Sequence, residues 1–281
     1  MRHPFRVLLL VTAMGCVTEP DLTYPTSPPA TPPPSPVTPP PSIADVRLSE
    51  MVIPNLPSPH YRFEYDSSGR VTFASFASDV RTYDIQYEGN RIAGMTSTRF
   101  PAERLAYFYD VAGKATLVTY SNNAGVVYVR VHLAYRGDRL VRLERERLIE
   151  GTFQLEKRLS FVYDAAGNLA ELTDQRLPVG GLTEATVVDR FESYDTGINV
   201  DGFSLIHTES ADHLILLPGV RLQLGNPAGV TRSGSGLNYH VDYTYTYDSE
   251  DRPLTKHGEV VIQGGASAGQ RFQTNAAFSY E

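Results

Sequence analysis

The sequence predicts an all-β fold, an antiparallel meander of hairpin repeats that forms a curved sheet or an open or closed barrel, with one short helix or ordered loop inserted. Apolar and polar residues alternate over short stretches, which is the period of two that half-buried strands show. Tight turns of the Asp-x-x-Gly or Gly-first kind follow these stretches. A tyrosine recurs just before the turns, at Tyr65, Tyr87, Tyr109, Tyr135, Tyr163, Tyr194, Tyr247 and Tyr280.

The first element of the chain is an export signal. Arg2 and Arg6 form a basic region, an apolar stretch follows, and small residues precede Cys16. The apolar stretch is too short to span a bilayer as a permanent helix. Cys16 is the only cysteine, so the protein keeps one thiol where a lipid would be attached. The segment resembles a bacterial lipoprotein signal, and we predict a signal peptide over residues 1–16 that is lipidated at Cys16; an ordinary secretory signal is the alternative.

The second element, residues 17–43, is predicted to be a disordered tether. Pro20 to Pro41 holds eleven of the twenty prolines, mixed with Thr and Ser. Such a composition cannot bury a core and favours extended polyproline II, which would span about 60–70 Å. A proline-rich ligand for a recognition domain is the competing interpretation.

The third element, residues 44–281, is predicted to be a single domain of hairpin repeats. Residues 61–73, YRFEYDSSGRVTF, show the repeating unit, in which the three aromatic residues of the first strand fall on one face. Asp66 suits the first position of a type I turn, and the glycine three residues later suits a left-handed conformation. This pattern predicts a hairpin with a bulge. Three glycines are predicted to hold the structural left-handed position, namely Gly69, Gly113 and Gly167.

The repeat is interrupted between Tyr194 and Tyr247, a gap of 53 residues. The gap is nearly two repeats long, which predicts an eroded ninth turn within Leu222–Val230. Residues 203–217 lose strict alternation, and their apolar spacing favours a short helix or ordered loop that docks on the tyrosine face.

The turn sequences carry a resemblance to known families. Tyr-Asp-x-x-Gly-Arg, complete at residues 65–70, resembles the tyrosine-aspartate repeats of Rhs-type bacterial proteins. The body more closely resembles a bacterial lipoprotein family of unknown function that is described as having a porin-like fold, because Leu224-Gly225 and the strand Tyr245-Thr246-Tyr247 stand at the places typical of that family. The resemblance covers most of residues 45–281. It implies a curved antiparallel meander, closed or nearly closed, and it implies no chemistry.

No motif for catalysis or cofactor binding is present. The sequence lacks a phosphate-binding glycine loop, a zinc-type cysteine pair and a Gly-x-Ser-x-Gly elbow, so we predict neither an enzyme nor a cofactor. One local cluster contains ligand-type side chains, but its histidines are six residues apart and do not share a helical face. We therefore prefer a solvated edge to a ligand or weak metal site for this cluster. Its members are His207, Glu209, Asp212 and His213.

Two further groups of side chains are candidates for surface roles. Tyr243, Tyr245 and Tyr247 form one face of a strand that could stack against a glycan or another planar ligand, although cross-strand aromatic residues first of all stabilise a sheet. The mixed-charge run at residues 142–147 is predicted to coat a solvent face or an edge strand. Its charged members are Arg142, Glu144, Arg145, Glu146 and Arg147.

The formal net charge of −7 argues against a nucleic-acid partner. We predict a lipid-anchored bacterial protein of the cell envelope, on the periplasmic side or the surface of the outer membrane, that acts as a binding or scaffolding module for a glycan or protein ligand. An exported hydrolase with a cleft of acidic residues is one alternative. An integral outer-membrane β-barrel is another, although charges within the strands speak against it.

Overall fold

The computed structural model describes residues 46–99, 103–205 and 220–281, which belong to one compact unit, Pro40–Glu281. These residues form sixteen strands and very little helix. The strands are β1 (Leu48–Val52), β2 (Tyr61–Tyr65), β3 (Val71–Phe76), β4 (Arg81–Glu88), β5 (Arg91–Ser97), β6 (Arg104–Tyr109), β7 (Ala115–Ser121), β8 (Val127–Arg136), β9 (Arg139–Ile149), β10 (Thr152–Tyr163), β11 (Leu169–Arg176), β12 (Ala185–Tyr194), β13 (Pro227–Gly234), β14 (Tyr239–Tyr247), β15 (Pro253–Ile262) and β16 (Arg271–Tyr280). The helical elements are α1 (Gly202–Leu205) and a 3-10 turn (Gly265–Ser267).

The strands form a closed antiparallel barrel. Each strand pairs with its neighbours in sequence, and the last strand returns to pair with the first, with Leu48 opposite Tyr280 and Val52 opposite Ala277. The meander of short hairpins explains this order, because tight turns can join only adjacent antiparallel strands. The predicted all-β meander is confirmed, and among the sheet forms that the sequence left open the protein adopts the closed barrel.

The tyrosine repeat maps onto the barrel with one tyrosine at the end of each even-numbered strand. A β-bulge accompanies most of these residues: Glu64 pairs with Phe73 and Tyr65 pairs with Val71, so that Thr72 has no partner across the hairpin. The same register shift occurs at Tyr87, Tyr109, Tyr135, Tyr163 and Tyr247. We call these residues station tyrosines, and we call the end of the barrel that carries their turns the station end.

The turn glycines adopt the left-handed backbone that the repeat requires. The φ angles of Gly69, Gly113 and Gly167 are 78°, 86° and 97°. In the first turn the Asp66 carboxylate accepts hydrogen bonds from the backbone N–H groups of Ser68 at 2.8 Å and Arg70 at 3.0 Å. The Asp66 side chain therefore replaces backbone partners inside the turn.

Most of the interior of the barrel is apolar. Inward residues of β2 such as Tyr61 and Phe63 are almost completely buried, whereas Arg62 and Glu64, which alternate with them, point outward. Side chains from most strands pack into one cluster with Phe76 and other large residues. Burial of this apolar surface is the main force that closes the barrel.

The outer wall is mostly polar and charged, with single exposed apolar side chains such as Phe108 and Val162 among the polar ones. Arg158 pairs with Glu144 at 2.8 Å and Arg190 pairs with Glu171 at 3.0 Å, in each case between neighbouring strands. These residues occupy the positions that alternate with the buried ones. The outer face of the sheet is thus mainly polar and charged, and its inner face is mainly apolar.

In the long gap of the repeat, the described residues form one hairpin, β13 and β14, and no ninth turn. The strand β13 begins at Pro227 and pairs directly with β12, so the predicted eroded turn within Leu222–Val230 is wrong. The start of the predicted insert is helical at α1, and Leu205 packs against the core. The remainder of the insert, residues 206–217, lies outside the described residues, as do residues 1–45, so the predictions for the signal, the tether and most of the insert stay predictions.

Candidate functional site

A cavity of about 300 Å³ opens at the end of the barrel opposite the station end. It is formed where β4, β7, β8, β9, β10 and β11 end or begin at that end of the barrel, together with the connections before β6 and β12. We call it the cationic cavity. Its lining residues are Arg81, Glu103, Tyr120, Tyr128, Arg145, Arg147, Glu156, Lys157, Arg176 and Leu182.

Strand alternation explains why charged side chains face this cavity. In β9 the inward positions continue from Leu143 to Arg145 and Arg147, and these two arginines stand opposite the buried Val131 and Val129 of β8. The inward face of β9 therefore changes from apolar to cationic along its length. The strands β10 and β11 change in the same way, so that their charges gather at one end of the barrel.

A bulge in β10 places a carboxylate among these cations. The register shifts between Leu155 and Lys157, which leaves Glu156 without a cross-strand partner and turns its side chain inward. The Glu156 carboxylate accepts hydrogen bonds from Nε of Arg145 and from Nε of Arg147, both at 2.5 Å. The side chains of Glu156 and Arg145 are 4% and 6% exposed, whereas that of Arg147 is 45% exposed. Glu156 thus fixes one buried and one accessible guanidinium.

A second carboxylate is fixed by tyrosines. Glu103 accepts hydrogen bonds from the hydroxyl groups of Tyr83 at 2.8 Å and Tyr128 at 2.7 Å, and Arg81 approaches it at 3.4 Å. Burial raises the pKa of Tyr83, and the charge of Glu103 raises it further. Burial and the hydrogen bond to Glu103 likewise raise the pKa of Tyr128. Both phenols therefore stay protonated at neutral pH and act as donors to Glu103.

The lining of the cationic cavity has an excess of positive charge. Five of the lining residues are Arg or Lys and two are Glu. Lys157 pairs with Asp174 at 3.2 Å, at the edge of the same cluster. One Asp174 carboxylate oxygen is buried and has no hydrogen-bond partner among the described residues. The cavity therefore holds several fixed cations close to a polar opening.

A smaller cavity of about 100 Å³ lies between the barrel wall and the start of the insert. Arg232 makes two hydrogen bonds to Asp189, at 2.7 and 2.6 Å, and Lys256 pairs with Asp201 at 2.8 Å. Burial lowers the pKa of Lys256, but Asp201 and neighbouring tyrosines outweigh burial and raise it overall. The cations of this cavity are thus matched one to one by carboxylates.

The predicted stacking tyrosines line or border this smaller cavity. Tyr243, Tyr245 and Tyr247 lie on the inward face of β14. The ring centroids of Tyr243 and Tyr245 are 6.3 Å apart, and those of Tyr245 and Tyr247 are 6.1 Å apart. The hydroxyl of Tyr245 donates to the Pro227 carbonyl at 3.2 Å, and Tyr247 donates to Asp195. The three tyrosines thus contact one another and other residues of the protein, as expected of side chains that stabilise the sheet.

Other predicted site residues fall outside the described parts of the chain. Cys16 and the cluster of His207, Glu209, Asp212 and His213 are among them. Within residues 46–99, 103–205 and 220–281, no group of three or more His, Cys, Asp or Glu side chains is arranged to hold a metal ion.

The prediction for the charged run at residues 142–147 is partly wrong. Arg142, Glu144 and Glu146 face outward as expected, but Arg145 and Arg147 face the interior. The alternation that starts at Leu143 carries the signal, because every second residue from Leu143 belongs to the buried face. Because five of the six residues in this run are charged, the alternation between inward and outward positions was not recognised from the sequence.

Comparison with solved structures supports the fold. A porin-like protein from Bacteroides uniformis ATCC 8492 aligns with a TM-score of 0.56 and 16% identity over 79% of this chain and 89% of that chain. A porin-like protein from Bacteroides vulgatus ATCC 8482 aligns with a TM-score of 0.56 and 15% identity over 84% of this chain and 99% of that chain. The chain has a porin-like fold.

The porin-like part of the resemblance seen in the sequence is therefore confirmed. No family model matches the chain, and no curated protein matches it. Among the described residues no helix is both long enough and apolar enough to cross a membrane.

Proposed function

We propose that the chain is a lipid-anchored protein of the bacterial cell envelope whose barrel works in water as a binding module. The polarity of the barrel wall carries this proposal. A barrel that spans the outer membrane turns an apolar band toward lipid and polar residues toward its lumen. Here the outward positions hold ion pairs such as Arg158–Glu144, and the inward positions hold residues such as Phe63 and Leu143.

The filled interior favours binding over passage of solutes. Tyr61, Tyr83, Phe76 and Leu159 are among the large inward side chains with less than 2% exposure. A channel needs a water-filled lumen along its whole length, whereas a binding module needs a concave site with convergent polar groups. The cationic cavity at one end of the barrel is such a concave site with convergent polar groups. The hydrolase alternative is less favoured because Glu103 and Glu156 already accept hydrogen bonds from cavity side chains.

The proposed anchor rests on the sequence before the barrel. Cys16 is the only cysteine of the chain, and the proline-rich tether separates it from the barrel. A barrel with a charged outer wall needs such an anchor to remain at a membrane, since it has no lipid-facing surface of its own. The location that we propose for the anchored barrel is the outer membrane, in line with its likeness to porin-like proteins.

Membrane fractionation tests the proposal. Cys16→Ala should move the protein from the membrane pellet to the soluble fraction, and Thr18→Ala, two residues further on, should leave it in the pellet. Purified protein added to a planar lipid bilayer should produce no ion conductance. Retention of Cys16→Ala in the pellet after an alkaline carbonate wash, together with conductance, would replace this proposal by an integral barrel.

The integral barrel is the second candidate function. The porin-like description of the similar Bacteroides proteins and the sixteen strands favour it, since porins have sixteen to eighteen strands. It requires the charges of the outer wall to face lipid, and each Arg or Lys at the bilayer midplane costs about 2–4 kcal/mol. That cost is the reason for placing it second.

A further inference from the structure

We infer that the cationic cavity binds a small organic anion through a carboxylate or phosphate group, with Arg147 and Arg176 as its main contacts. The inference deepens the binding role proposed above and rests on it, but it does not depend on the lipid anchor. It starts from the unequal charges of the two cavities. The smaller cavity pairs Arg232 and Lys256 with one carboxylate each. The cationic cavity is lined by five cations and two carboxylates, and with Asp174 beside Lys157 the cations still outnumber the carboxylates by five to three.

Arg176 is the clearest unmatched charge. It faces the cavity from the end of β11 and is exposed to solvent. It makes no ion pair or hydrogen bond within the part of the chain that the structure describes. A guanidinium at the mouth of a cavity that already holds other cations adds to the positive potential there, which favours the entry of an anion.

Arg147 is oriented to take the same anion. Its Nε and Nη2 atoms bind the two oxygens of Glu156, at 2.5 and 3.3 Å. This bidentate contact occupies one edge of the guanidinium and leaves the edge formed by Nη1 and Nη2 for a second planar or tetrahedral oxyanion. Glu156 is buried and also bound by Arg145, so the orientation of Arg147 is fixed before any ligand arrives. Such preorganisation reduces the entropy lost on binding.

The size and walls of the cavity set the class of ligand. A volume of about 300 Å³ lies at the lower end of the range for small-molecule sites. Tyr120, Tyr128 and Leu182 add aromatic and apolar surface beside the cations. Tyr120 is held in place because the Arg145 guanidinium lies 5.5 Å from its ring centre. The site therefore fits a compact anion with a short organic body better than a polymer.

Titration of the full-length protein in detergent with two probe anions tests this inference. Inorganic phosphate and benzoate represent the phosphate and carboxylate forms of the ligand, and both are added at constant ionic strength. At least one probe should give saturable binding in calorimetry and a saturable rise of the thermal midpoint, because a ligand that binds only the folded state stabilises it. Binding of phosphate alone would assign a phosphate ligand, and binding of benzoate alone a carboxylate ligand.

Two matched double variants assign the site. Arg147→Gln with Arg176→Gln removes the proposed contacts, and Arg142→Gln with Arg190→Gln removes the same charge from the outer wall. The cavity variant should bind the probe at least about tenfold more weakly, which corresponds to a loss of about 1.4 kcal/mol. The wall variant should bind as the wild type does.

Stability without the anion gives a second readout. The single variant Arg176→Gln should unfold at the same temperature as the wild type or at a higher one, because it removes one of the lining cations and breaks no ion pair. Unchanged anion binding in the cavity variant, an equal loss in the wall variant, or no saturable binding of either probe to the wild type would overturn the inference. Fractionation of Cys16→Ala is unaffected by these outcomes, so failure of the ligand class is distinguishable from failure of the proposed anchor.

Discussion

The hydroxyl group of Tyr163, at the end of β10, donates a 2.7 Å hydrogen bond to the backbone carbonyl of Leu140, at the start of β9. The same bond joins the two strands of a pair at five further stations, where Tyr65 binds Leu48, Tyr87 binds Val71, Tyr109 binds Ile92, Tyr194 binds Leu169 and Tyr280 binds Pro253. The repeat therefore encodes one tertiary contact six times: a phenol that joins a strand to the preceding strand at the station end.

Removal of one such hydroxyl should lower the stability of the barrel. We expect Tyr163→Phe to reduce the free energy of unfolding by about 0.5–1.5 kcal/mol, because one hydrogen bond is lost and the ring remains. Tyr135→Phe is the matched control, since the Tyr135 hydroxyl is buried and has no hydrogen-bond partner among the described residues. That change should be neutral or stabilising. Urea unfolding of the two variants measures the difference, and equal losses would show that the station phenols do not act through this bond.

The turn glycines should differ in how well they tolerate asparagine. A Cβ atom at Gly113 would lie 2.8 Å from Nη2 of Arg91, whose guanidinium covers the ring of Tyr109 at 5.5 Å. At Gly137, which also has a positive φ, nothing lies within 4 Å of the added atom. Asparagine tolerates the left-handed conformation, so Gly137→Asn should be nearly neutral. Gly113→Asn should cost about 0.5–1 kcal/mol more, because Arg91 must leave the tyrosine ring.

A double-mutant cycle checks the cause of that difference. In an Arg91→Ala background the arginine is absent, and Gly113→Asn should become as mild as Gly137→Asn in thermal unfolding. An unchanged penalty in that background would place the strain in the backbone of the turn instead.

Much of the fold could be predicted because the hairpin repeat is local. The alternation in residues 61–65 and the turn that follows them are determined by neighbours in sequence, and all eight station tyrosines lie at the ends of even-numbered strands. Closure of the barrel could not be predicted, since it depends on pairing between Leu48 and Tyr280 across nearly the whole body. The prediction of a ninth turn was wrong because it rested on the length of the gap. A gap of this length can hold either a further turn of the repeat or an irregular connection between two strands.

The candidate site was hidden for a different reason. Arg145 and Arg147 belong to the buried face by period, but a run of alternating charges normally marks a solvated wall. The Glu156 side chain reaches the cavity because a bulge in β10 shifts the alternation of inward and outward residues by one position. The sequence of β10 contains no pattern that predicts this bulge. The cavity joins residues from strands that are far apart in sequence, so local reasoning could not bring Arg81 and Arg176 together.

Alkaline pH should unfold the barrel cooperatively. Burial is the main cause that raises the pKa of Tyr135 to about 12, above the value of about 10 for a tyrosine in an unfolded chain. A raised pKa in the folded state stabilises the fold below pH 10, and this contribution is lost as the pH rises from about 10 to about 12. Tyrosinate absorbance should therefore rise together with loss of the far-ultraviolet β signal.

Tyr135→Phe offers a direct check on that coupling. The variant lacks one group that must ionise, so its unfolding midpoint should shift to higher pH while its stability at neutral pH is unchanged or slightly raised. Ionisation of most tyrosines near pH 10 with the β signal intact would show that the station phenols are open to solvent.

The strongest destabilisation should come from Glu156. Glu156→Gln keeps the shape of the side chain but leaves the buried Arg145 without its full counter-charge, and removal of one partner from a buried ion pair costs about 3–5 kcal/mol. Glu144→Gln is the matched control on the outer wall, where the partner Arg158 is 36% exposed and a pair contributes about 0–1 kcal/mol. Urea unfolding of the two variants gives the comparison. A third variant, with Arg145→Met and Glu156→Leu together, should recover part of the loss because apolar side chains then replace both buried charges. Similar small losses for Glu156→Gln and Glu144→Gln would mean that water reaches Arg145 and that the cavity is hydrated to its base.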